Sequence, residues 1–338
     1  MPRMRLFKVL TLPLMATLLF AIQTPALAAK SLIITTATTG GTYYPVGVAI
    51  GTLISIKLAA KDGISATAIN SAGSGENIQM LKNKECDLAI LQGLYGAQAY
   101  HGKGPYQGQA MQEMLGITML WQNVEHFPLL AKHVKKGDLS DLKGLGAKFS
   151  IGKRGSGTEG SGRIILGAAG IEPDKDFVTE YLDYNASIDA MQDGRIAGAN
   201  IPAGVPVSAI TQMYAMMGDK ATVLDVTDEQ LTKINEALTL WTRFPIPPDT
   251  YPGQKKTINT IAQPNILVAS TQMTEEEVYK ITKTIYENLP FLNNIHSATK
   301  AMSLEQALGG MPMPLHPGAL KYFREAGVAI PDRLVLKK

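Results

Sequence analysis

Cysteine is nearly absent. Of 338 residues only Cys86 carries a thiol, which excludes an intrachain disulfide framework. Excess charge is missing too. Lys and Arg number 32 against 29 Asp and Glu, and the surplus sits in Arg3, Arg5 and Lys8, ahead of any acid. The remainder is formally neutral. Its densest basic clusters (Lys132, Lys135, Lys136; Lys153, Arg154) are too short to track a phosphate backbone, which argues against a nucleic-acid partner. Low-complexity tracts are lacking. The longest apolar run near the start, Val9–Ile22, falls short of the ~20 residues that span a bilayer and is broken by Pro13. Disorder, collagen-like repeats and a polytopic membrane protein are thereby excluded.

What is present begins with an address. The three basic residues, the Val9–Ile22 run and then Ala26-Leu27-Ala28 form the three regions of a secretory signal peptide. Cleavage is expected after Ala28, giving a mature protein free in the periplasm. The length, with 45% hydrophobic and 18% charged residues, predicts two folded units with cores of ordinary composition.

After the leader, β-rich runs alternate with helical stretches, the pattern of parallel α/β domains. The spacing predicts strands at 31–38, 64–70 and 87–92, with helices over 46–60 and from the Ser74 turn to Asn83. Further on it predicts strands at 147–152, 177–184, 196–201 and 222–226, with helices between. Three of the strand-to-helix junctions share one design: Thr39-Gly40-Gly41-Thr42-Tyr43-Tyr44-Pro45, Ser71-Ala72-Gly73-Ser74-Gly75-Glu76-Asn77 and Lys153-Arg154-Gly155-Ser156-Gly157-Thr158-Glu159. Ligands of such sheets bind outside the carboxyl ends of strands, where the N–H groups and positive dipole ends of helices favour an anion. Gly and Ser also serve as plain helix caps. Their recurrence at three equivalent junctions favours a binding cleft between two lobes.

Enzyme motifs fail on inspection. The 155–161 loop lacks the Lys and Ser/Thr of a phosphate-binding P-loop, because Ser161 and Gly162 stand there, and there is no Gly-x-Ser-x-Gly elbow. His101, His126, His133, His296 and His316 are not paired at helical spacing, so no zinc site is expected. No catalytic residue, metal or cofactor is assigned. Cys86, on the edge of an apolar strand, reads as a buried inert thiol, and His316 as a helix cap. Arg154 reads either as a fork onto a ligand carboxylate or as a solvated strand end.

These loops, with Asp87-Leu88-Ala89-Ile90-Leu91-Gln92 and the terminal run Leu315-His316-Pro317-Gly318-Ala319-Leu320-Lys321-Tyr322-Phe323-Arg324-Glu325-Ala326-Gly327, resemble the TAXI class of solute-binding proteins of TRAP transporters over most of the mature chain. The resemblance implies a two-lobed periplasmic binding fold, two open α/β sheets joined by two crossing hinge strands. It also implies capture of a glutamate-like amino acid or small carboxylate by closure, and delivery to a TRAP membrane permease. First-lobe contacts would be Thr39, Gly40, Gly41, Thr42, Tyr43, Ser74, Asn77 and Gln92. Second-lobe contacts would be Ser156, Gly157 and Thr158, with Arg154 and Gly204 nearby. Where the class often has an acid after the Gln, this chain has Gly93, which would favour a ligand without an amine. The lobes are expected at 29–124 with 268–338, and at 125–267, with Phe127–Ala131 and Ile266–Ala269 as crossing strands and Phe244–Gly253 as a loop. A monomer is expected, since one lobe must move against the other. Two alternatives stay open: a ligand sensor signalling to a membrane receptor, and an exported hydrolase or transferase.

Overall fold

A computed structural model describes residues 29–337; the expected leader, 1–28, lies outside the described residues. The chain opens as β1 (Lys30–Thr35), α1 (Tyr43–Asp62), β2 (Ile64–Ile69), α2 (Ser74–Lys82), β3 (Leu88–Gln92) and α3 (Gly93–His101). These three strands are parallel, with Thr35 opposite Ile69 and Ala89, so their carboxyl ends share one edge. α1 buries one side against the sheet beneath it and the C-terminal helices beside it, while Val48 and Ile56 face outward. Gly51 lets it approach closely, since a Cβ there would stand 3.1 Å from the Ala66 carbonyl oxygen.

The long strand β4 (Met114–Val124), buried at every position except Gln122, carries the chain to the second sheet. There follow β5 (Phe127–Leu130), β6 (Lys148–Ser150), α4 (Gly157–Ala168), β7 (Val178–Glu180), α5 (Tyr184–Gln192), β8 (Gly198–Ala199), α6 (Ser208–Met217), β9 (Ala221–Leu224) and α7 (Asp228–Ala237). The chain then returns through β10 (Thr242–Ile246) and β11 (Ile258–Ser270). It ends in α8 (Glu275–Tyr286), α9 (Leu289–Ile295) and α10 (Pro317–Glu325); α8 and α10 pack on β4 of the first sheet and α9 on α1. The first sheet runs β10-β11-β3-β1-β2 with β4 also on β11; the second runs β7-β6-β8-β5-β9.

Several expectations are corrected. The sheets are mixed, because β11 runs antiparallel to β3, β4 and β10, and β5 antiparallel to β8 and β9. Phe127–Leu130 lies within the second sheet, so the first crossing is the short link Glu125-His126. The expected crossing strand 266–269 is the end of the longer β11. β10 and β11 hydrogen-bond within the first sheet, while Ile246, Tyr251, Ile258 and Ala262 pack into the apolar core of the second lobe, so the long β11 is the second crossing. The Pro-rich stretch read as a loop starts as β10, where Pro245 is tolerated because the strand is at a sheet edge. The strand expected over 177–184 stops at Glu180. Asp183 ends the extended run by capping α5, its Oδ1 accepting the Ala186 N–H at 2.9 Å.

Cys86 is buried and its thiol is pushed up to about 11, mainly by desolvation. His316 caps α10, accepting the Gly318 N–H at 3.3 Å.

Candidate functional site

The carboxyl ends of both sheets face each other across a cavity. Its wall includes the N-terminal ends of four helices: Thr42 and Tyr43 of α1, Gly73 and Ser74 of α2, Ser156 and Gly157 of α4, and Asp183 and Tyr184 of α5. Each helix brings N–H groups that its own turns leave unmatched. Two of these ends are side-chain capped, α4 by Ser156 Oγ (3.1 Å from the Glu159 nitrogen) and α5 by Asp183. At α1 and α2 no side chain caps the helix. The positive end of α1, with neither a side-chain cap nor an acid in its first turn, is the least compensated attraction for an anion, whereas α2 carries Glu76 in its first turn. Lys153 is the one basic side chain of the lining and Asp183 the one acidic.

The lobes are closed on one another. Thr42 Oγ1 donates to the Gly204 carbonyl at 2.8 Å, the Ala209 N–H donates to the Gly40 carbonyl at 3.3 Å, and Tyr95 Oη donates to the Ser156 carbonyl at 3.1 Å. Glycine permits this closeness. A Cβ at Gly75 would lie 2.0 Å from the Gly155 oxygen, and one at Gly160 2.0 Å from Tyr95 Oη. The space left between the lobes is small, about 30 Å³, against the roughly 10–15 Å³ that one water needs.

Most hydroxyls around the cavity already have partners. Tyr43 Oη donates to Asn265 Oδ1, and burial holds its phenol well above the ordinary range. Tyr184 Oη donates to the Pro202 carbonyl at 2.7 Å, so the Thr158 hydroxyl donates to Tyr184 at 2.8 Å. Ser74 Oγ accepts the Gln92 N–H at 3.0 Å.

Of the expected contacts, the fold brings Gly41, Thr42, Tyr43, Ser74 and Gln92 to the cavity from one side, and Ser156, Gly157 and Thr158 from the other. The rest go elsewhere. Thr39 is exposed at the turn and off the lining. Gly40 is buried against Asn185 of the second lobe. Gly204 lies beside the cavity, receiving Thr42 and packed where a Cβ would meet Trp121 at 2.6 Å. Asn77 is a structural tie. Its Nδ2 donates to the carbonyls of Thr36 (2.7 Å) and Ile90 (2.9 Å), and its Oδ1 accepts from Ser71 Oγ (2.6 Å). Arg154 lies on the Tyr181 ring, 3.5 Å from its centroid, while its neighbour Lys153 lines the cavity. Gly93 packs on Pro264, with its missing Cβ 3.0 Å from that ring, so a side chain there would not enter the cavity.

Sequence reasoning missed Lys153, Asn123, Asp183 and Tyr184 as lining residues. An Asp cap before a helical run announced α5, and Asn123 is a polar interruption of the apolar β4 run. Beneath the cavity, Glu125 and His126 are both fully buried. Burial pushes the Glu125 carboxyl up to about 8; Trp241 and Ser161 stand nearest and lower it slightly, without hydrogen-bond geometry. His126 is pushed down to about 4 by burial. Its Nδ1–H donates to the Val124 carbonyl at 2.9 Å and its Nε2 accepts from Tyr251 Oη at 2.8 Å.

Two sheets joined by crossings, with a cleft at their carboxyl edges, define the two-lobed α/β fold of periplasmic binding proteins. A structure described as a periplasmic transporter matches with a TM-score of 0.53 at 15% identity, covering 80% of this chain and 87% of that one. The methylphosphonate complex of PhnD1 from Prochlorococcus marinus matches at 0.50 and 15%, covering 80% and 90%. The binding protein of an ABC phosphonate transporter from Pseudomonas aeruginosa matches at 0.50 and 12%, covering 79% and 78%. Within this class the chain belongs to the NMT1-like family, which it matches over residues 34–327.

Proposed function

We propose that this protein is the exported solute-binding subunit of a membrane importer, capturing a small organic anion by hinge closure. The observation that carries the reading is the meeting of four helix N-termini and Lys153 around one cavity between the lobes. Lobe I, built on β1–β3 and the helices that cover them, holds the ligand when open. Closure about Glu125-His126 and β11 then adds Lys153 and the N–H groups of Gly157 and Thr158. Affinity includes the free energy of closure, so changes at the hinge alter it without touching the ligand. Signal-peptide export places the protein in the periplasm.

The ligand head group is an oxyanion, a carboxylate in the first instance, and the partner is a TRAP-type permease, on the strength of the TAXI-like loops. The test is a thermal-shift screen of protein refolded to strip bound solute, against carboxylates, phosphonates, sulfonates, amino acids and sugars. A ligand of the native state adds about 2.7 kcal/mol at a hundredfold excess over Kd. A carboxylate hit recovered unchanged supports the reading, and hits confined to sugars would overturn it. Uptake in membrane vesicles of the source cell, with this protein added, tests the partner: import driven by an ion gradient without ATP is expected, and strict ATP dependence would refute the TRAP assignment.

A further inference from the structure

Two side chains in the cavity wall stand apart from the hydroxyls. Gln92, ending β3, is 3% exposed, and Asn123, on β4 just before the hinge, is 1% exposed. Both line the cavity. Gln92 Oε1 and Asn123 Nδ2 are buried without a hydrogen-bond partner in the protein. Buried polar groups in native proteins are nearly always paired, and one left unpaired is costly. In the closed structure no group of the second lobe hydrogen-bonds either atom. Closure brings Gly157 there, which has no side chain and would meet the Gln92 amide at 2.9 Å if it had one. The anion alone does not answer both groups, because Gln92 Oε1 requires a donor and Asn123 Nδ2 an acceptor.

Resting on the anion-binding reading, we propose that Gln92 and Asn123 are the specificity determinants, and that the ligand is a small hydroxylated organic anion, a hydroxycarboxylate. An alcohol both donates and accepts. An oxo group only accepts, an ammonium only donates, and a bare alkyl chain does neither. Lys153 and the helix termini take the anionic head while the two amides read the hydroxyl. A site built around a substrate hydroxyl discriminates strongly against the analogue lacking it, because its own polar groups are then left unpaired.

The experiment is calorimetric titration of the full mature protein with two matched series: propionate, lactate, pyruvate and alanine; glutarate, 2-hydroxyglutarate, 2-oxoglutarate and glutamate. In at least one series the hydroxy acid should bind at least about tenfold more tightly than its three counterparts. Gln92→Met and Asn123→Leu should each bring that preference close to unity. If either variant fails to fold, Gln92→Asn and Asn123→Ser, which shorten the polar reach without adding bulk, take its place. A parent, oxo or amino acid binding as tightly as the hydroxy acid overturns the proposal and leaves the anion reading standing. So does a preference that survives in the variants. No binding by either series, or by methylphosphonate as a control anion, overturns both.

Discussion

Replacing Glu125 with glutamine puts the buried carboxyl at the hinge to a quantitative test. The native group titrates near 8 against an ordinary 4.5, so it is protonated when folded over a range where the unfolded chain has lost its proton. The folded state then binds more protons, and stability falls as pH rises between the two values by about 1.4 kcal/mol per pH unit. The loss reaches about 3 kcal/mol at pH 7 and about 4 kcal/mol at pH 8. His126 acts in the opposite sense. Its native value near 4 lies below the ordinary 6.5, so the unfolded chain binds the extra proton and stability rises as pH goes from 4 to 6.5. Between 4.5 and 6.5 these two slopes nearly cancel, with His133, His296 and His316, also lowered by burial, adding to the rise, and from 6.5 to 8 the Glu125 decline dominates. Urea unfolding followed by tryptophan fluorescence at pH 5 to 8.5 should therefore show a wild-type decline above pH 6.5. Glu125→Gln removes it. The difference between variant and wild type should grow by about 3–4 kcal/mol from pH 5 to pH 8 in the variant's favour, a comparison from which any constant packing cost drops out. Parallel curves would refute the reasoning and mean that the carboxyl is solvated.

Other substitutions separate binding from folding. Gly160→Ala should leave α4 as stable or up to about 1 kcal/mol more so while its methyl meets Tyr95, weakening ligand binding through closure; unchanged affinity in calorimetry would show that the closed contact is dispensable. Lys153→Gln should cost about tenfold or more in affinity for an anionic ligand, whereas Arg154→Gln, leaving the Tyr181 ring, should cost less than about twofold; the reverse order would return Arg154 to the site. Asn77→Ala removes three buried hydrogen bonds and should lower unfolding stability by about 2–4 kcal/mol, and a stability within 0.5 kcal/mol of wild type (roughly the scatter of a surface change) would contradict its role as a tie.

The sequence by itself determined the alternation of strands and helices, the two-lobed plan, the three glycine-rich junctions and the inertness of Cys86. These follow from local rules: β-branched runs, helix caps and backbone turns are set by neighbours a few residues apart. Several lining residues, such as Ser74 and Thr158, were legible because they belong to those junctions, and Gln92 through the family resemblance. Only the tertiary structure decided which side chain of each junction turns inward. Lys153 rather than Arg154 faces the cavity because the Tyr181 ring, far along the chain, takes the guanidinium. Asn77 turns back to join β1 and β3, although its type and spacing suit a ligand equally well. Asn123 and Tyr184 enter the site because β4 crosses between the sheets and α5 starts opposite α1, and Gly93 leaves it because β11 lies against β3. Direction and distance between elements remote in sequence arise from packing two sheets around one hinge, and no local pattern encodes them.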